Sequence, residues 1–205
     1  MSIHQERSRQ IVETIAGIKK ILAGGTEIEH LNEAKALLMD LAARSDLFPH
    51  ADFSDAEASQ ADRTYRLYEE DGGEFALYLA IVSKGVTNTP HDHGNSWAII
   101  AAVDGLERHH LYKRIDDGQT DGIGQLEYAG DLMVEQGTAL SMLIGGIHSI
   151  EGVSEEPNRN LHLYGHGFEH QAGRREFDLD NGTYVHSYDA AGTIEDFPLH
   201  PAALS

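Results

Sequence analysis

Histidine is the residue with the most chemistry to offer in this chain. Thirteen are present, ten of them between His91 and His200. Two stand one residue apart in the run Gly85-Val-Thr-Asn-Thr-Pro-His91-Asp-His93-Gly94. In an extended segment, residues two apart face the same side, so His91 and His93 can aim both imidazoles at one metal ion. Asp92 then faces the other way, which makes it a poor ligand and a candidate anchor for a ring nitrogen from behind. Without a single cysteine, the chain can have no disulfide, thiolate-bound metal, iron–sulfur cluster or cysteine nucleophile.

The remaining histidines read more plainly. His109 and His110 alternate across their strand, so at most one can face the interior, and the pair is expected at the surface. His166 and His170 fall on an expected loop, with solvated or structural roles. His4, His30, His50 and His200 have no local company and are expected at the surface. Trp97 is expected in the core.

The elements that would position such a site divide into two parts. Ile11, Ile15, Ile18 and Leu22 recur at helical steps until Gly24-Gly25, and Leu31, Ala34, Leu37, Leu38 and Leu41 mark a second helix. These helices should cover one side of a sheet. Residues 45–62 read as a loop with a short helical turn. From Thr64 the period changes to that of strands: Thr64–Glu70, Glu74–Ser83, Ser96–Val103, Leu106–Arg114, Gln125–Tyr128, Ala139–Ile144, Ser149–Val153, Asn160–Gly165 and Tyr184–Tyr188. Asp71-Gly72-Gly73 and Asp104-Gly105 read as the turns between neighbours. Short strands at such spacing predict a sandwich, jelly roll or barrel.

Charge removes whole classes of partner. With 15 Lys+Arg against 34 Asp+Glu the net charge is −19, which argues against nucleic acid and against an anionic membrane surface. No apolar run approaches the ~18–20 residues of a membrane span, and the start of the chain has no secretory core. A cytoplasmic protein is expected.

The histidine run resembles a known family. Gly85, five residues, His91-x-His93 and then Gly105 match the first motif of the cupins. Gly137, five residues, Leu143 and Gly145-x-x-His148 match the second, with Leu143 for its usual proline and Gly152 for its closing asparagine. The likeness implies an all-β double-stranded β-helix (jelly-roll barrel) of six to eight strands over 63–205, with a helical segment over 1–62 packed outside it in one domain. It also implies a metal held by His91, His93 and His148. The glutamate ligand of the first motif is replaced by Ala98, which leaves three neutral ligands.

Such a ligand set resembles the thiol dioxygenases, the cysteine and 3-mercaptopropionate dioxygenase group. Thr89-Pro90-His91-Asp92-His93, Gly146-Ile147-His148-Ser149-Ile150 and Asn160-Leu161-His162-Leu163-Tyr164-Gly165 match that group's segments in order and spacing. The resemblance implies Fe(II), a small thiol and O2 as partners, and a sulfinate product. Zinc, nickel or copper would also suit three imidazoles. Tyr164 would act as the catalytic hydrogen-bond donor, oriented by His162, with Asn160 in place of the relay serine. An arginine should hold the substrate carboxylate: Arg175 by likeness to the 3-mercaptopropionate branch, or Arg66 by likeness to the cysteine branch. Ala98 cannot form the cysteine–tyrosine cross-link of the animal enzymes. A three-histidine cupin lyase, isomerase or carbon–carbon-cleaving dioxygenase, or a non-catalytic metal- or small-molecule-binding cupin, would use the same triad.

Overall fold

The computed structural model of the protein describes residues 1–54, 62–187 and 194–203. Helix α1 (Ile3–Leu22) starts at a reciprocal cap, with Gln5 N–H donating to the Ser2 hydroxyl and the Gln5 side chain accepting from Ser2 N–H. It ends before Gly24-Gly25, and α2 (Ile28–Ala42) follows. Ile11, Ile15 and Ile18 of α1, with Leu31, Ala34 and Leu38 of α2, are fully buried. Their periodicity therefore describes one apolar stripe on each helix, laid on the outer face of a sheet.

Eleven strands follow among the described residues: β1 (Asp62–Tyr68), β2 (Glu74–Val82), β3 (Ala98–Asp104), β4 (Leu106–Arg114), β5 (Leu126–Glu135), β6 (Ala139–Met142), β7 (Ile147–Gly152), β8 (Asn158–His166), β9 (Arg175–Asp178), β10 (Thr183–His186) and β11 (Ile194–Asp196). The larger sheet has the order β11-β1-β2-β8-β3-β6 and the facing one β5-β4-β7, with a β9–β10 hairpin beside it. The arrangement is a double-stranded β-helix, a jelly-roll barrel, with the two N-terminal helices packed outside it. Among the described residues no helix is long and apolar enough to cross a membrane.

Both faces of the larger sheet are covered, which is why β2, β3 and β8 read as nearly continuous buried runs. Leu77, Leu79, Ile99, Leu161 and Leu163 join the core beneath the helices, and Trp97 lies there too. The alternate residues, Ala76, Tyr78, Ala98, Ala102 and Tyr164, face the barrel interior. By the same alternation Asn158, Asn160 and His162 of β8 point inward. The interior is thus a narrow apolar shell with a polar row along one wall.

The structure departs from the sequence reading in several places. Eleven strands replace the six to eight expected: β9 and β10 form a short hairpin beside the barrel, and β11 adds to the edge of β1 from far along the chain, while β5 runs on to Glu135 along the whole of β4. Strand β7 begins at Ile147, so His148 lies on it. His91 and His93 are not on a regular strand: His91 is a single bridge between His148 and Glu176. The expected loop 45–62 has its helical turn at Ser45–Leu47, while residues 55–61 lie outside the described part, as does Tyr188 of the last expected strand.

Leu38 is fully buried between α2 and the sheet. Leu38→Ala should lower unfolding stability by about 2–5 kcal/mol, the cost of a large-to-small change in a packed core. Chemical denaturation would read this; metal uptake by the folded variant should be unchanged.

Candidate metal centre

Three elements bring the histidines together. The segment before His91 runs between β7 and β9: His91 N–H donates to His148 O at 2.8 Å, His148 N–H returns the bond to His91 O at 3.0 Å, and Phe177 N–H donates to Pro90 O at 2.8 Å. The chain then turns sharply after His93. Gly94 sits at φ +56°, where a side chain would also meet Ala172 O at 2.3 Å, so only glycine fits. The result places one donor nitrogen from each of His91, His93 and His148 within 4.8 Å of the others. Their ring centroids are 4.6 to 5.2 Å apart.

The donor set fits a metal. Nδ1–H of His91 donates to Thr89 O at 2.9 Å, which fixes its tautomer and leaves Nε2 as a lone pair. Nε2 of His93 and Nε2 of His148 are buried without any hydrogen-bond partner among the described residues. Buried polar atoms are rarely orphaned, and two that converge with a third imidazole are what an ion would satisfy. Burial first of all, with neighbouring cationic groups second, pushes His91 down to about 3 and holds His93 and His148 well below the ordinary imidazole range. The rings therefore stay neutral, the form that ligates. Among the described residues no carboxylate joins them. Ala98, at the position of the cupin glutamate, is buried on the interior face and stands opposite Tyr164 in the β3–β8 pairing.

Asp92 does not anchor a ring. It is buried, accepts backbone N–H from Gly94 at 3.1 Å and from Arg175 at 2.8 Å, and its Oδ2 lies 2.9 Å from Arg175 Nε. Its work is to tie the ligand turn to β9.

Behind His148 stands a residue the sequence reading placed at the surface. His109 is fully buried, with Nδ1 3.0 Å from His148 Nδ1. Its Nε2 lies 3.2 Å from Oε2 of Glu107, which is also fully buried and accepts from Asn158 Nδ2 on its other oxygen. Alternation does put only one histidine of the pair inside; His110 turns outward to Asp131, at 2.7 Å. No local signal marks His109 as the inward one, because Glu107, of the same parity, is a charged residue that would ordinarily put this face in water.

Beside the triad is a cavity of about 60 Å³. His91, His162, Tyr164, Tyr78, Ile150 and Arg174 contribute to its lining. The ring of Tyr164 is 5.0 Å from that of His93, and its hydroxyl is 3.0 Å from His162 Nδ1. Burial lowers His162 to about 4 and raises the Tyr164 phenol well above its ordinary value, so both are neutral. His162 Nε2 has no partner among the described residues, and the buried Asn160 amide makes no hydrogen bond to it. The single proton of His162 then belongs on Nδ1, donated to the phenol oxygen, since an orphaned buried N–H is the costlier arrangement.

The arginines are not where the sequence reading put them. Arg175 does not enter the barrel, because Asp92 holds its guanidinium and β9 starts at this residue. Arg66 shares the parity of Asp62 and Thr64, which line the cavity, but Asp196 at 2.7 Å and Glu69 at 2.8 Å hold it at the rim. The arginine on the cavity is Arg174. It is buried, and its Nη1 reaches Glu176 at 3.1 Å and Ser187 at 2.9 Å.

No family model and no curated protein matches the sequence. Among solved structures, the chain is similar to the cupin domain of Cnp3 from Schizosaccharomyces pombe, at 12% identity over 54% of this chain and 69% of that one, with a TM-score of 0.42. It is similar to a recombinant oxalate oxidase in complex with glycolate at 16% identity, over 55% of this chain and 56% of the oxidase, with a TM-score of 0.43. KdgF from Halomonas sp. matches at 11% identity over 57% of this chain and 92% of that one, with a TM-score of 0.41. At these identities and scores the matches say nothing of reaction or substrate. The jelly-roll barrel and its histidine triad fit a metal-binding protein.

Alanine at His91, His93 or His148 should abolish stoichiometric Co(II) or Fe(II) uptake, read by titration and elemental analysis, with circular dichroism unchanged. Full uptake by any one variant would remove that residue from the centre. Acid should act on the metal-free fold in a definite direction. His91 and His162 are neutral in the fold to about 3 and about 4, whereas an unfolded histidine takes its proton near ~6.5. Below that value the unfolded chain binds more protons, so stability present above pH ~6.5 is lost progressively on acidification. Melting temperatures of the metal-free protein that stay level from neutral pH down to about 4 would contradict the buried neutral rings.

Proposed function

We propose that the protein is a non-haem iron(II) thiol dioxygenase, which converts a small carboxylate-bearing thiol of the 3-mercaptopropionate or cysteine type to its sulfinate. One observation carries this reading: the cavity beside a carboxylate-free histidine triad is lined by a buried arginine and a buried, protonated tyrosine. Iron(II) bound by His91, His93 and His148 would supply the activation of dioxygen. The reaction balances without an external reductant, since the thiolate sulfur gives four electrons and dioxygen takes four, both oxygen atoms ending on sulfur.

The chain's own residues do the rest. Arg174 receives the carboxylate, and a planar two-pronged cation gives it a fixed orientation that a lysine would not. His162 Nδ1–H donates to the Tyr164 oxygen, which frees the phenol O–H to donate toward the substrate side of the cavity. Ala80, Val82, Ile150 and Phe168 line the same space and exclude water from the carbon chain. Binding pockets for drug-sized ligands run to ~300–1,000 Å³, so a cavity of about 60 Å³ selects a ligand of few heavy atoms. Asp62 on the same lining offers an anion to a substrate ammonium, a contact only the cysteine-type substrate would use. A lyase that used Tyr164 as its base is disfavoured, because burial raises this phenol rather than lowering it.

Anaerobic reconstitution with iron(II), followed by oxygen uptake with a panel of thiols, tests the reading. Uptake matched one-to-one by sulfinate is expected with at least one carboxylate-bearing thiol; no uptake with any thiol would overturn it. Arg174→Gln should raise KM on the order of ten- to a hundredfold, the worth of a charge-assisted pair, with iron content unchanged. Arg66→Ala should leave KM within about threefold, a change of under 1 kcal/mol. Ala98→Glu would place a carboxylate at the cupin ligand position, and thiol affinity should fall sharply; unchanged affinity would mean that residue 98 does not face the metal.

A further inference from the structure

We infer that Glu107 and His109 are positioning residues for the metal centre: together they fix the His148 tautomer that presents a bare Nε2, and they place one carboxylate charge behind the ligand set that lacks a carboxylate of its own. The inference rests on the three-histidine centre and is independent of the substrate proposed above.

His148 Nδ1 and His109 Nδ1 are 3.0 Å apart, so one of them carries a proton and the other accepts it. Which one does so is decided at the far side of His109. There Nε2 lies 3.2 Å from Oε2 of Glu107, close enough for electrostatics to favour N–H over a bare lone pair beside the carboxylate, although the two atoms are not aligned as a hydrogen bond. His109 in its neutral form therefore carries its proton on Nε2, toward Glu107, and its Nδ1 is bare. The shared proton belongs to His148 Nδ1, and Nε2 of His148 is left as a lone pair. That atom is the one buried without a partner beside His91 and His93. Every link points in one direction, and reversing it would put a proton on the ligating nitrogen.

The carboxylate is itself held. Asn158 Nδ2–H donates to Oε1 of Glu107, and Asn158 is fixed by the turn between β3 and β4. Gly105, at φ +79°, lies against Asn158 so closely that a side chain there would meet its Cβ at 2.5 Å. Glu107, His109 and Asn158 are all fully buried, as is His148, so the chain of contacts is shut off from bulk water. In that setting a hydrogen-bonded carboxylate raises the basicity of the ligand it supports, and loss of such support weakens metal affinity by ~10–100-fold. His91 is oriented by a backbone carbonyl alone, Thr89 O. His148 is the ligand through which the protein delivers charge.

The test has two parts. The first uses the unaltered, metal-free protein: long-range ¹H–¹⁵N correlation spectra at neutral pH should report His148 protonated on Nδ1 and His109 on Nε2. A proton on His148 Nε2, or a doubly protonated His109, would overturn the inference. The second is Co(II) titration of the wild type and of Glu107→Gln, a change that keeps shape and removes charge. The variant should bind about ten- to a hundredfold more weakly, and its His148 should show both tautomers. Co(II) uptake of unchanged affinity would overturn the device alone. No Co(II) uptake by the wild type would overturn the metal centre and this device with it. Should Glu107→Gln fail to fold, the spectra of the wild type decide the question without it.

Discussion

Three neutral imidazoles face one another inside the barrel, with no carboxylate among them in the described residues, and most of the structure serves that constraint. An imidazole buried in apolar surroundings gives up its proton easily, which suits ligation, but it is left with a bare lone pair that water cannot reach. Each ring must also be held in the right tautomer. His91 takes its orientation from the carbonyl of Thr89, and His148 from His109. The backbone pairing of His91 with His148 ties two ligands into one unit. Asp92 then joins the turn after them to β9.

The same constraint explains why the barrel interior is polar along one wall. Strand β8 carries Asn158, Asn160, His162 and Tyr164 at alternate positions, while its other face supplies Leu161 and Leu163 to the core beneath the helices. Polar groups in such a place cost stability unless they are paired. Asn158 is paired through Glu107, and His162 through Tyr164. The helices compensate from outside, by burying a second apolar layer against the sheet that carries this row. Sheet and helices are in this sense a support for a wall that could not be stable alone.

Much of this could be read from the residues in order, and the failures have physical reasons. The two helices announce themselves by an apolar stripe and a Gly-Gly stop. His91 and His93 are visible in their spacing, and His148 in the glycine pattern shared with the cupins. His109 was hidden because alternation says that one of two adjacent histidines faces inward, not which one. Arg174 and Arg175 pose the same problem. Their phase is set by Gly173, at φ +78°, and by an ion pair to Asp92 from more than eighty residues away, neither of which periodicity can express. Strands β9 and β11 are too short to show a period, and β11 also takes its pairing from a distant segment, β1.

The central claim is the ligand set, and X-ray absorption at the metal edge of the iron(II)-loaded protein tests it most directly. Three imidazoles, with their characteristic multiple scattering, and no protein carboxylate are expected in the first coordination sphere. A shell with two imidazoles or fewer, or one that includes a protein carboxylate, would contradict the account.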